Sequence, residues 1–128
     1  MTRSRRSAKA AGAYFERQIA DWLAARWSKF IDRRVKTGAK DKGDISNFYV
    51  GDRKVVIEAK DYGGVFHVGT WLSEAETERL NDDAVAGIVI AKRRGTTDPA
   101  KQVVFMTVLD FVVLLTLAGG RGSDKGSE

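Results

Sequence analysis

The sequence predicts an α/β fold, a central mixed β-sheet flanked by helices. Three observations carry that prediction. Short β-branched runs recur at Val55-Val56-Ile57, Gly87 to Ala91 and Gln102 to Val108, each of strand length and bounded by turn residues. Phe15, Ile19, Trp22, Leu23 and Phe30 fall on one stripe at helical spacing. A polar helix and a short apolar helix separate and follow the strands, so strands and helices alternate along a single domain.

In chain order, residues 1 to 9 carry Arg3, Arg5, Arg6 and Lys9 and no acid. Residues 1 to 7 read as a disordered basic arm that touches nucleic acid, with a transit peptide as the more elaborate alternative. A helix is expected from Ala8 to about Phe30, its apolar stripe packed on the sheet. Glu16 lies about 60° from the middle of that stripe at roughly 100° per residue. From that edge it either feeds a carboxylate toward the sheet or pairs with a neighbouring Arg or Lys.

Between Arg26 and Lys42 stand seven basic residues and two acidic ones, a surplus equal to the net charge of +5 on the whole chain. Such a run is most often a solvated face. Beside carboxylates its cations suit phosphate contact, and Arg33, Arg34, Lys36, Lys40 and Lys42 are the candidates. Thr37 to Lys42 is expected to form a mobile loop that contacts the nucleic-acid strand.

Asp44 to Val50 and Lys54 to Lys60 then make two strands joined by the turn-like Gly51-Asp52-Arg53, which suits a hairpin. Alternation puts Glu58 and Lys60 on one side of the second strand, roughly 6 to 7 Å apart. Antiparallel pairing brings Asp44 beside Glu58, so two carboxylates converge next to one lysine. Asp41 is a rival to Asp44. Carboxylates held this close repel one another, and one takes a proton unless a hard cation such as Mg²⁺ keeps both ionised. Phosphodiester cleavage uses that arrangement: a metal polarises phosphoryl oxygens and acidifies a bound water, while a lysine orients the water or stabilises developing charge.

Asp61 to Gly69 follows as a glycine-rich loop. His67 is read as incidental more readily than as an acid, and Tyr62 and Phe66 as packing on the core more readily than stacking on a base. Ser73-Glu74-Ala75-Glu76 has the form of a capping box, so a helix is expected from Ser73 to about Val85. With Glu74, Glu76, Glu78, Asp82 and Asp83 it is expected to face away from DNA. Lys92-Arg93-Arg94 forms a second basic cluster. Asp110 is expected to cap a last helix through Leu117, whose apolar surplus suggests core burial or a dimer contact, and residues 119 to 128 a flexible polar tail.

Composition narrows the chemistry. With no cysteine and one histidine, disulfides, thiolate sites and multi-histidine zinc centres are excluded, and any metal must be held by oxygen. No apolar run approaches the roughly 20 residues of a membrane span and no secretory signal opens the chain, so an intracellular protein is expected. A pI near 9.6 points to a polyanionic partner.

Glu16 on a leading helix, Asp44 in Gly43-Asp44-Ile45, and Glu58-Ala59-Lys60 at the end of the next strand resemble the PD-(D/E)XK nuclease superfamily, and most closely the archaeal-type and phage-encoded Holliday junction resolvases. The likeness covers about residues 8 to 117, with Gly43 where the superfamily's name has proline. It implies a restriction-endonuclease-like nuclease domain over residues 8 to 118. It further implies Mg²⁺, with Mn²⁺ able to substitute, held by Asp44, Glu58 and the Ala59 carbonyl, Lys60 acting on the water and Glu16 completing the acidic shell. A homodimer that nicks a four-way DNA junction symmetrically, in a bacterial or phage-infected cytoplasm, is the expected setting. Other nucleases of the superfamily, and a basic DNA-binding protein without turnover, remain as alternatives.

Overall fold

A computed structural model describes residues 3 to 34 and 43 to 126. Lys36, Thr37, Lys40, Asp41 and Lys42, with the loop expected there, lie outside the described residues. Among the described residues no helix is long and apolar enough to cross a membrane.

Helix α1 spans Arg5–Arg26, and strands β1 (Asp32–Arg33), β2 (Ile45–Ser46), β3 (Tyr49–Val50) and β4 (Arg53–Lys60) follow. Helix α2 (Val68–Asn81), β5 (Ala86–Ala91), β6 (Val103–Phe105) and α3 (Val108–Leu117) complete the chain. The sheet runs β1-β2-β4-β5-β6, with β3 paired to β4 off that path. It is mixed, as expected: β4 and β5 are parallel, connected through α2, and the other pairings are antiparallel.

Alternation along β4 and β5 sorts the two faces. Val55, Ile57, Ala59, Ile88 and Ile90 join Phe15 and Ile19 of α1 in the larger core, onto which Leu114 and Leu117 of α3 also pack. On the opposite face Val89 and Ala91 meet Trp71 and Ala75 of α2. Gly87 allows α2 its close approach, because a Cβ there would sit 2.7 Å from the Ala75 carbonyl oxygen. Gly87→Ala is therefore expected to cost about 1–3 kcal/mol through overpacking, read as a lower denaturation midpoint.

Several element ends differ from the sequence expectation. α1 begins at Arg5 because Ser4 caps it, its Oγ accepting from the Ser7 N–H at 3.1 Å, so residues 5 to 7 of the arm expected to be disordered are helical. It ends at Arg26, and Phe30 stands beyond it, 67% exposed and off the apolar stripe. α2 starts at Val68, so Ser73 lies inside the helix and its Oγ donates to the Gly69 carbonyl. Burial of Trp71 outweighs the capping-box signal and draws the first turn back toward the loop. Thr107, not Asp110, caps α3, and the Asp110 carboxylate instead accepts from the Gly87 N–H at 3.1 Å. Phe111, Val112 and Leu115 are about half exposed, so they are not core.

Candidate active site

The register of β2 decides where Asp44 stands. Ile45 pairs with Ile57, whereas Tyr49 pairs with Lys54, and the one-residue difference is absorbed at Asn47, a bulge at φ 65. Asn47 is held there by its Nδ2, which donates to the Phe30 carbonyl at 3.0 Å. Continuing the Ile45–Ile57 pairing one residue sets Asp44 opposite Glu58. In the register of β3 it would face Ala59 and join the other face of the sheet. Asp44 is further tied by its own N–H to the Ile57 carbonyl, and its Oδ2 accepts from the Ala59 N–H, both at 2.9 Å. Gly43 sits at φ 91, where a Cβ would come 2.9 Å from Val56, so the turn into Asp44 requires glycine.

The convergence read from the sequence is present. Asp44 and Glu58 are each only 4% exposed, and their carboxyl groups are hydrogen-bonded to one another. Lys60 Nζ lies 3.8 Å from Glu58 Oε1. Asp44, Glu58, Ala59, Lys60 and Glu16 all line one cleft of about 1020 Å³. Glu16 reaches its rim but pairs with Arg33, whose Nε donates to Glu16 Oε2 at 2.6 Å. Arg33 and Arg34 line the same cleft, and Arg34 is paired with Asp82 at 3.3 Å.

Two members of the cluster come from α2, which the sequence reading turned outward. Glu74 accepts from Lys60 Nζ at 2.6 Å, and Glu78, 4% exposed, hydrogen-bonds the Glu58 carboxyl from below. Only Glu76, paired with Arg79, and Asp83 behave as the solvated acids expected of this helix. The overlooked signal was spacing: Glu78 follows Trp71 and Ala75 on the buried stripe, and Glu74 lies one turn before it. His67 and Tyr62 pack against the Trp71 ring at 5.7 and 5.3 Å, and Phe66 against Phe105 at 5.1 Å, so the loop aromatics brace α2.

No family model, curated protein or solved structure matches the chain.

The electrostatics follow from crowding acids under cover. Burial first, then hydrogen bonds to Glu78 and Asp44, then the charges of those two groups push the Glu58 carboxyl from 4.5 up to about 11. Burial pulls the Lys60 ammonium down, but the Glu74 hydrogen bond and the charges of Glu58 and Glu74 outweigh it, and the net direction is up. Lys60 is thus a cation at neutral pH and cannot serve as a resting base.

A pH dependence follows for Glu58. Above 4.5 the unfolded chain has released the proton that the folded protein keeps up to about 11, so stability falls as pH rises through that window. Glu58→Gln removes the titration. In EDTA the variant is expected to resist urea better than the parent at about pH 8, with the advantage shrinking as pH falls to the ordinary carboxylate range. An advantage that is constant with pH would show that Glu58 does not carry this proton.

The donor set fits a hard divalent cation. Among the described residues no group of three or more His, Cys, Asp and Glu side chains is placed to hold a metal ion. Mg²⁺ does not ask for one, since it is bound through one or two carboxylates with water and substrate phosphate filling the rest. Asp44 and Glu58 supply two carboxylates and Ala59 a carbonyl on the same cleft. Glu58 Oε2 is buried without a hydrogen-bond partner, an oxygen whose desolvation a cation would offset.

Proposed function

We propose that the protein is a Mg²⁺-dependent, structure-selective DNA endonuclease that resolves four-way junctions by paired nicks. The observation that carries this reading is the meeting of Asp44, Glu58 and Lys60 in one basic-rimmed cleft, with a buried Glu58 oxygen that no protein donor satisfies. Asp44, Glu58 and the Ala59 carbonyl would hold the ion, which when bound polarises the phosphoryl group and acidifies a water ligand.

The chain's own groups account for the remaining work. Lys60 Nζ, held by Glu74, places a positive charge beside the Glu58 carboxylate, where it orients the water and meets charge that develops on the phosphate. Glu74 and Glu78 fix the Lys60 and Glu58 side chains from α2, so the cluster is positioned by packing on the sheet and not by the loop. Arg33 and Arg34 line the approach, and the basic stretch that runs on from them suits the phosphate backbone. The apolar side of α3, with Val108 80% and Leu109 71% exposed, suits a second copy, as paired symmetric cutting requires.

Cleavage of a labelled synthetic four-way junction, beside duplex and single-stranded controls of the same sequence, tests the proposal. Paired symmetric nicks on the junction, lost with EDTA, are expected. Cutting of duplex or of ends would retain the chemistry and replace the substrate with that of a restriction or end-processing nuclease. Salt-sensitive binding without cutting under Mg²⁺ or Mn²⁺ would replace catalysis with a DNA-binding role.

A further inference from the structure

The cations that line the cleft are not equivalent. Arg3 is paired with Asp61, Arg33 with Glu16, Arg34 with Asp82, and Lys60 with Glu74 and Glu58. Arg94 lines the same cleft from the turn after β5 and, like Lys9, has no carboxylate partner among the described residues. It is nonetheless held. Its Nε donates to the Gly63 carbonyl at 3.0 Å, and its stem lies flat on Gly64, where a Cβ would fall 2.2 Å from Cγ and 3.0 Å from Cδ and Nε. Gly63 and Gly64 have φ of 64 and 88, a backbone that glycine adopts freely and that lets the loop after β4 pass beneath the arginine.

A guanidinium anchored through Nε keeps its two terminal nitrogens as a fork of donors, the geometry that matches two phosphate oxygens. The other arginines of the cleft spend their donors on the protein's own acids, and Arg94 does not; Lys9 is a single ammonium without such a fork. We propose that Arg94, latched over Gly63-Gly64, is a phosphate clamp that grips the DNA backbone beside the scissile position, in the same cleft as Arg33 and Arg34. The assignment deepens the nuclease reading and rests on it, since it takes DNA as the occupant of the cleft.

Binding measured without turnover separates the two. In EDTA, with a labelled four-way junction and a salt series, Arg94→Gln is expected to weaken binding several-fold at about 0.1 M salt. It should also lower the slope of log K against log salt by about one, the share of a single phosphate contact. Arg53→Gln, an exposed charge at the opposite end of β4, is expected to leave that slope within error of the parent. Gly64→Ala keeps every charge and displaces the arginine stem, so a folded Gly64→Ala protein should show the Arg94→Gln slope. A parental slope and affinity in Arg94→Gln, or an equal loss in Arg53→Gln, overturns the clamp and leaves the nuclease reading standing. A parent chain that binds no DNA overturns both. Loss in Arg94→Gln with a fully parental Gly64→Ala overturns the glycine latch.

Discussion

Junction cleavage is expected to fall by on the order of 10³-fold in both Asp44→Asn and Glu58→Gln, while junction affinity in EDTA stays close to that of the parent. Each change replaces a carboxyl that a bound cation would keep ionised with a neutral amide, and removes almost no volume. In Asp44→Asn the carboxamide oxygen can still accept from the Ala59 N–H, so the turn into β2 keeps its anchor. In Glu58→Gln the new amide can donate to Asp44 or Glu78, the groups that already hydrogen-bond the Glu58 carboxyl. What both lose is a carboxyl oxygen able to serve a hard cation on the cleft. The same substitutions should abolish any rise in melting temperature that Mg²⁺ produces in the parent, a readout independent of turnover. Near-parental cutting by either variant would show that the site assignment is wrong. Glu58→Gln has a second signature: it is expected to gain stability at neutral pH as it loses activity, because the unfolded chain releases a proton there that the folded protein must keep.

The largest stability effect is expected at Trp71. It is 2% exposed and heads the fully buried side chains, closed in by Tyr62, Phe66, His67 and Phe105. Trp71→Ala is expected to cost about 3–5 kcal/mol, a large part of the roughly 5–15 kcal/mol that holds a domain of this kind. Urea denaturation gives the number. The consequence reaches the cleft, since Trp71 sets the rotation of α2 that turns Glu74 and Glu78 under Lys60 and Glu58. Trp71→Phe fills much of the space and should keep most of the stability; if it loses as much as Trp71→Ala, the ring contacts described here are not what orders the helix.

Much of the candidate site was legible in the sequence because strand geometry is local. Alternation puts Glu58 and Lys60 on one side of β4 whatever surrounds it, and the antiparallel return of the chain brings Asp44 to the neighbouring position. The mixed sheet with flanking helices followed from the same periodicities. So did the burial of β5, whose Ala86–Ala91 run is buried throughout.

The rest needed three dimensions. A helix shows its apolar stripe in its sequence but not which acids lie at the edge of that stripe after docking, and on α2 the packing of Trp71 against the sheet decided it. That packing turned Glu74 and Glu78 inward, moved the helix start from Ser73 to Val68, and so converted acids read as solvated into supports of the site. The Asn47 bulge is likewise invisible in residue type alone, yet it selects the face that Asp44 joins. The loop after β4 brings Gly63-Gly64 beneath an arginine 30 positions later, a contact that no local signal announces. By itself the sequence determined which side chains alternate along each strand, and with them the shared face of Glu58 and Lys60. Only the tertiary structure decided their partners, because helix rotation, strand register and loop contact are set by the packing of segments distant in the chain.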